Sequence, residues 1–211
     1  MQLDIPLIRQ DEDSLDCGPA CLAMMLSHQG MNIEYETVKD DLERYDIGTY
    51  VPQLGIYALD KGYDAKIISL NPHLFNKKSY DDILSHFKTL KAEEDKKEYV
   101  HQLDLFIDFV RRGGVIDVKL PGIDDIKEEL QDGRPVGALV TTNFIQHQKP
   151  IFNFHFNVIT GIDEERIYVN DPLWDERGGR KEYTHREFLY ALHATAYGDY
   201  DNASLLIIKD G

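Results

Sequence analysis

A cysteine opens the first strongly helical segment of this 211-residue sequence. Cys17 begins a predicted helix that runs to about Gln29, and Gly30 stands just beyond its end as a typical helix terminator. The unpaired N–H groups at a helix N-terminus attract negative charge, which favours the thiolate form of a cysteine placed there. Gly18 would let the backbone of a substrate approach closely. Cys17 is therefore the candidate nucleophile, and Cys21, one turn deeper, is expected to pack as a small apolar side chain.

A thiolate nucleophile needs an imidazole that pairs with it and protonates the leaving group. Among the eight histidines, His155 differs because it opens a predicted strand whose hairpin partner is followed directly by Asp171. If Thr160 pairs with Arg166 across a five-residue loop, His155 lies directly opposite Asp171, with Cβ atoms about 4.5–5.5 Å apart. The carboxylate would then hold the imidazole Nδ1–H and set its tautomer. A register one residue off would bring Asn170 there, which suits the role less well.

An amide side chain completes the candidate site. Gln10 lies seven residues before Cys17 and could donate its amide beside the Cys17 backbone N–H, so that the two form an oxyanion hole. With His155 and Asp171, the set contains a nucleophile, a base, an orienting acid and an oxyanion stabiliser. The separation of 138 residues between Cys17 and His155 is typical of papain-type enzymes.

In this order, the motifs resemble those of the bacteriocin-processing peptidases. These are papain-like cysteine peptidases that cleave leader peptides after a double glycine, often as the cytosolic front domain of an export transporter. The resemblance covers about residues 5–70 and 115–208. It is carried by Gln10 and by segments 16–24, 155–161 and 170–172, with further matches at 48–52, Leu54 and 62–63.

The resemblance implies a papain-like fold with Cys17 as nucleophile, His155 as base, Asp171 as orienting residue and Gln10 in the oxyanion hole. The sequence departs from the family in two places. The glutamine usually stands six residues before the cysteine rather than seven, and a charged helical segment at about 75–131 is not typical of the family. Because no transporter segment follows, we expect a free-standing form.

Helices come first along the chain and strands come last, which predicts the α+β class, with a buried N-terminal helix packed on an antiparallel β-sheet. We interpret the chain as a single domain, 1–211, that contains a helical insertion at about 75–131. Asp16 and Thr49 are candidate N-caps. The predicted helices cover 17–29, 34–45, 51–61, 79–112, 124–131 and 185–192, and the predicted strands cover 5–8, 65–70, 136–141, 155–160, 166–169 and 203–208.

The net charge of the chain limits the classes of molecule that it is expected to bind. Acids outnumber bases 38 to 23, for a net charge of −15, which argues against nucleic acid or an anionic membrane as the main partner. Residues 1–75 hold 13 acids and 5 bases, or −8, so acidity surrounds the candidate nucleophile. The acidic run at 11–16 is most simply a solvated loop, although it could also select a basic segment in a peptide or protein substrate.

Two cysteines are too few for a disulfide framework, and the chain shows neither a signal peptide nor an apolar run of membrane-spanning length. We therefore expect a cytoplasmic protein that uses no cofactor and no metal.

Three functions remain open at this point. The first is a cysteine peptidase. The second is a deamidase, transglutaminase or other acyltransferase that uses the same triad, since the acyl-enzyme is common to both. The third is a non-catalytic peptide-binding module.

Overall fold

The computed structural model describes residues 1–45, 48–74, 76–77, 79–146, 153–196, 200–201 and 203–211. Its helices are α1 Cys17–His28, α2 Tyr35–Asp41, α3 Val51–Asp60, α4 Tyr80–Glu93, α5 Lys97–Arg111, α6 Ile123–Gln131, α7 Thr142–Ile145 and α8 His185–His193. Its strands are β1 Tyr63–Ile68, β2 Val115–Asp117, β3 Val136–Val140, β4 His155–Ile162, β5 Arg166–Asp171, β6 Gly179–Thr184 and β7 Leu205–Asp210.

One sheet organises the fold, with the strand order β2-β1-β7-β3-β4-β5-β6. Neighbouring strands are antiparallel except β1 and β2, which are parallel. The predicted α+β class is confirmed, and the parallel edge pair is an addition to the predicted antiparallel sheet. The two edge strands, β2 and β6, went unpredicted because β2 is only three residues long and β6 is mostly polar.

Helices cover both faces of the sheet. On β7, Leu206 and Ile208 pack into the apolar cluster that also holds residues of α1 to α5. Their neighbours Leu205 and Ile207 point the other way and pack with residues of α6 and α8. A strand buried on both faces has a continuous apolar run rather than an alternating one, which explains why four successive residues of β7 are apolar.

The predicted N-terminal helix is confirmed as α1, and residues 18–26 are all buried. A helix that is apolar all round is a core helix, and α1 occupies that position against β3 and β4. The approach is close at Gly137, where an added Cβ would lie 3.1 Å from Met25 Sδ. The helix ends as predicted, with Gly30 in the left-handed region at φ +88°.

Both predicted N-caps are wrong. Asp16 precedes α1, but its side chain accepts no hydrogen bond from the helix. For α3, Tyr50 rather than Thr49 stands at the N-cap position, and the Val51 N–H donates to the carboxylate of Asp201 at 2.8 Å. A cap supplied from 150 residues away leaves no local pattern in the sequence.

The segment 75–131 contains more than helices. Helices α4 and α5 form a hairpin whose Phe87 and Phe106 rings stack at 5.1 Å, and Phe109 of α5 packs against Gly55 of α3. The segment then adds β2 to the edge of the sheet and α6 to the opposite face. The interpretation of 75–131 as an insertion within one domain stays a prediction.

The N-terminal segment follows the sheet without forming the predicted strand at 5–8. Leu3 N–H donates to Thr160 O at 2.7 Å, and Gln2 forms an isolated bridge with Gly161. Further along, the buried Asn170 side chain donates to the carbonyls of Ile5 and Pro6, each at 3.3 Å. These contacts lead the chain past the end of β5 toward Gln10. Of the helices described, none has the length and apolar character needed to cross a membrane.

Candidate active site

His155 and Asp171 meet at one end of the β4–β5 hairpin. His155 is the first residue of β4 and Asp171 is the last residue of β5. The His155 Nε2 atom lies 2.7 Å from Asp171 Oδ1. The Leu173 N–H also donates to Oδ1, at 2.9 Å, and the Asp171 side chain is fully buried. The carboxylate is therefore fixed in place by the turn that follows it.

The predicted hairpin register is wrong, although the predicted contact is made. Strand β4 continues to Ile162, which pairs with Ile167, and a bulge between Ile159 and Gly161 shifts the register by one residue. The pair Val158 and Asn170 sets the register at this end of the hairpin. One step further along, Asp171 lies opposite Asn157, which is two residues after His155 on β4. A shift of two preserves the face of the sheet on which a side chain lies, so the two side chains still meet, diagonally.

The ring nitrogen that binds the acid also differs from the prediction. Nε2, not Nδ1, faces Asp171, which leaves Nδ1 as the ring nitrogen available to Cys17. Burial by itself disfavours the charged ring. The Asp171 carboxylate and the Cys17 side chain outweigh burial, and together they raise the pKa of His155 to about 10. The imidazole is thus held in the protonated form at neutral pH, with Nε2–H donating to the acid.

The two cysteines lie in different environments, as predicted. Cys17 is a partly exposed free thiol at the start of α1. Cys21 is a free thiol that is 1% exposed, and burial, assisted by the nearby charges of Cys17 and Asp171, raises the pKa of its thiol well above the usual value. Only Cys17 combines exposure, contact with His155 and a helix N-terminus.

Gln10 lies at the beginning of the loop that ends at Cys17. Its side chain is 5% exposed, and its Nε2 donates to Ser14 O at 2.7 Å. Its backbone N–H donates to Pro172 O at 2.8 Å, next to Asp171. An amide nitrogen carries two hydrogens, and the second contact of this one, to Ser14 Oγ at 3.5 Å, is long enough for an oxyanion to replace it.

Sequence reasoning missed Arg9, which holds the loop beyond Asp171. Its Nη1 donates to Leu173 O at 2.7 Å and to Asp175 O at 2.8 Å. The segment before Cys17 and the loop after Asp171 are thus joined by side-chain and backbone hydrogen bonds. The only feature of the sequence that could have pointed to Arg9 is its position next to the candidate Gln10. Asn170, the less favoured alternative to Asp171, is directed away from His155 and binds the carbonyls of Ile5 and Pro6.

The structure gives Gly18 a different role from the predicted one. A Cβ added there would lie 2.0 Å from Thr49 Oγ1 and 3.3 Å from Thr49 Cβ. The absence of a side chain lets the segment before α3 pack against the first turn of α1. Gly18 is therefore explained by packing of the protein on itself beside Cys17.

Among the described residues, no three His, Cys, Asp or Glu side chains are grouped as metal ligands would be. The chemistry available to Cys17, His155 and Asp171 is nucleophilic attack and proton transfer.

Comparison with protein families gives a match over residues 2–200 to the model described as the Peptidase_C39 like family. The chain belongs to the Peptidase_C39-like family. Comparison with curated proteins gives no match. The C39-like assignment agrees with the resemblance that the motifs around Cys17, His155 and Asp171 indicated.

Solved structures match this C39-like chain along its whole length. A double glycine motif protease from an AMS/PCAT transporter, in complex with its leader peptide, has 20% identity and a TM-score of 0.54, covering 100% of this chain and 94% of that one. A putative C39-like peptidase from Bacillus anthracis has 15% identity and a TM-score of 0.58, covering 99% and 96%. The peptidase domain of Streptococcus ComA, a bifunctional ABC transporter of a quorum-sensing pathway, has 14% identity and a TM-score of 0.52, covering 97% and 98%. The predicted papain-like fold is confirmed.

Proposed function

We propose that this C39-like protein is a cysteine peptidase in which Cys17, His155, Asp171 and Gln10 act together on a peptide bond. The observation that carries the proposal is the contact between His155 Nε2 and Asp171 Oδ1 at 2.7 Å, on a ring whose pKa is also raised by Cys17. The buried carboxylate orients the imidazole and favours its protonated form. With a thiol beside the ring, this is the arrangement that a thiolate–imidazolium pair requires.

The reaction proceeds through a thioester. The Cys17 thiolate bonds to the carbonyl carbon, and the carbonyl electron pair moves to oxygen, where the Gln10 amide and the Cys17 N–H stabilise it. His155 gives its proton to the leaving nitrogen as the C–N bond breaks. Water then attacks the thioester, His155 takes the proton from that water, and the C–S bond breaks to release the acid and restore the ion pair.

We infer a leader peptide as the substrate class. Support comes from family membership and from the similar double glycine motif protease, whose structure holds a leader peptide. A preference for a basic segment would rest on Glu12 and Asp13, which are exposed, because Lys39 and Arg44 of the chain itself already contact Asp11 and Asp16. The two free thiols fit a reducing, cytoplasmic setting.

The test is cleavage of a peptide pool in which half of the members contain Gly-Gly, read by mass spectrometry. The wild-type protein should release fragments that end in Gly-Gly, and Cys17→Ala should release none while keeping the same thermal unfolding curve. Cys21→Ala is the matched control and should retain cleavage. Equal cleavage by Cys17→Ala, or none by the wild type, would contradict the proposal.

A further inference from the structure

The loop between the two proposed oxyanion donors is held at both ends by one hydroxyl group. Gln10 precedes the loop of residues 11–16 and Cys17 follows it. The Asp11 N–H, next to Gln10, donates to Tyr35 OH at 3.3 Å. The same hydroxyl donates to Asp16 Oδ2, next to Cys17, at 3.4 Å. One atom therefore bridges the residues that adjoin each donor.

The phenol is suited to both bonds at neutral pH. Burial, together with the charges of Asp16 and Asp11, raises the pKa of Tyr35 to about 12, against the opposing effect of the Asp11 N–H. The protonated hydroxyl can donate one hydrogen bond, to Asp16, and accept another, from Asp11. The arrangement explains why Asp16, whose side chain does not cap α1, is nevertheless 2% exposed.

Two charged side chains from the same region also contact the ends of the loop. Lys39, one turn further along α2, contacts Asp11 Oδ2 at 2.7 Å, and its Nζ lies 5.1 Å from the centre of the Tyr35 ring. Arg44, just beyond α2, contacts Asp16 Oδ1 at 3.4 Å. Each of these ion pairs has one exposed partner, which weakens it, and each contacts one end of the loop, whereas the Tyr35 hydroxyl contacts both ends. Helix α2 packs against α1, so the hydroxyl is carried on a fixed element.

We propose that Tyr35 is a positioning residue that sets the separation between the Gln10 amide and the Cys17 backbone N–H. The inference rests on the proposed function, because it assigns these two groups to one oxyanion. Six residues separate Gln10 from Cys17, so the distance between the two donors depends on the conformation of this loop. A longer loop samples more conformations, and a displacement of about 1 Å can cost about 100-fold in rate.

The experiment compares two reagents on Cys17. Acetylation by p-nitrophenyl acetate passes through a tetrahedral oxyanion, whereas alkylation by iodoacetamide does not. The ratio of the two second-order rate constants reports oxyanion stabilisation apart from thiol reactivity. Tyr35→Phe should lower the ratio about 10-fold, with the alkylation rate unchanged within about twofold and faster hydrogen exchange in residues 11–17.

Two further variants distinguish failure of the positioning role from failure of the oxyanion assignment. Tyr57→Phe is the matched control, because its hydroxyl also binds a carboxylate of α2, Asp41, at 3.0 Å and does not touch the loop. It should leave the ratio unchanged. Gln10→Ala should lower the ratio at least as much as Tyr35→Phe does. An unchanged ratio in Tyr35→Phe, or an equal fall in Tyr57→Phe, overturns the positioning role. An unchanged ratio in Gln10→Ala overturns the oxyanion assignment in the proposed function.

Discussion

His155 and Asp171 make contact diagonally across the β4–β5 hairpin, with Nε2 2.7 Å from Oδ1. The carboxylate is anchored a second time by the Leu173 N–H. The orientation of the imidazole therefore depends on Asp171 and on the turn that fixes its carboxylate. Substitutions of His155 and of Asp171 should accordingly have effects of different size.

Asp171→Asn should reduce peptide cleavage less than His155→Ala does. Asparagine keeps the shape of the side chain and can still accept from Nε2–H, so we expect a loss of about 10- to 100-fold. Removal of the imidazole abolishes proton transfer and should cost about 1,000-fold or more. The measurement is kcat/KM on the cleaved peptide, and a larger loss in Asp171→Asn would remove Asp171 from the orienting role.

The raised pKa of His155 predicts a pH dependence of stability. The folded pKa is about 10, and the unfolded value is about 6.5. The folded state therefore binds the proton more tightly, so its contribution is complete below about pH 6.5 and is lost as the pH rises toward 10. With Cys17 replaced by alanine, so that loss of its thiol proton does not offset the effect, the free energy of unfolding should fall by up to about 1.4 kcal/mol per pH unit until the folded pKa is reached.

Urea denaturation at pH 6, 8 and 9.5 checks this dependence. The difference in free energy of unfolding between Cys17→Ala and the double variant Cys17→Ala/His155→Gln should shrink as the pH rises. A difference that stays constant or grows would show that the ring is neutral in the folded protein.

Cys17 should react with iodoacetamide at neutral pH at least about 100-fold faster than Cys21. Cys17 is partly exposed beside His155, whereas Cys21 is 1% exposed and has a raised pKa. Peptide mapping by mass spectrometry gives the two rates separately. Equal rates would indicate that the thiol of Cys17 is not activated.

Gly18→Ala should destabilise the protein by about 1–3 kcal/mol, because the new methyl group would overlap Thr49 Oγ1. Thr49→Ala in the same chain should recover part of the loss, since it removes the overlapping hydroxyl. A double-mutant cycle from thermal or urea unfolding measures the coupling. Gly30→Ala, where no atom lies within 4 Å of the added Cβ, is a control for backbone strain alone at φ +88°. Additive effects of Gly18→Ala and Thr49→Ala would contradict the packing explanation.

Local patterns were sufficient to predict the central helix and the contact between His155 and Asp171. Helix α1 combines an apolar run with Gly30 as its terminator, and β4 and β5 are apolar strands around a short turn. The hairpin register was wrong by two residues because neither the bulge at Thr160 nor the extension to Ile162 has a local signal. The contact was predicted correctly because an even shift keeps both side chains on one face.

Long-range partners explain the remaining differences. Val51 is capped by Asp201, and Asp16 is used by Tyr35 and Arg44 instead of capping α1. The segment at 5–8 has strand-like composition, but its carbonyls are bound by the Asn170 side chain rather than by a neighbouring strand. Each of these contacts joins residues that only the folded chain brings together.

The acyl group on Cys17 tests the central claim most directly. A peptide that contains Gly-Gly is mixed with the wild-type protein, quenched in acid within the first turnover, and the protein is digested and mapped by mass spectrometry. The mechanism predicts a thioester on Cys17 whose mass equals that of the peptide segment ending in Gly-Gly, and no such adduct in Cys17→Ala. Cleavage of the peptide without an adduct on Cys17, or with an adduct on another residue, would contradict it.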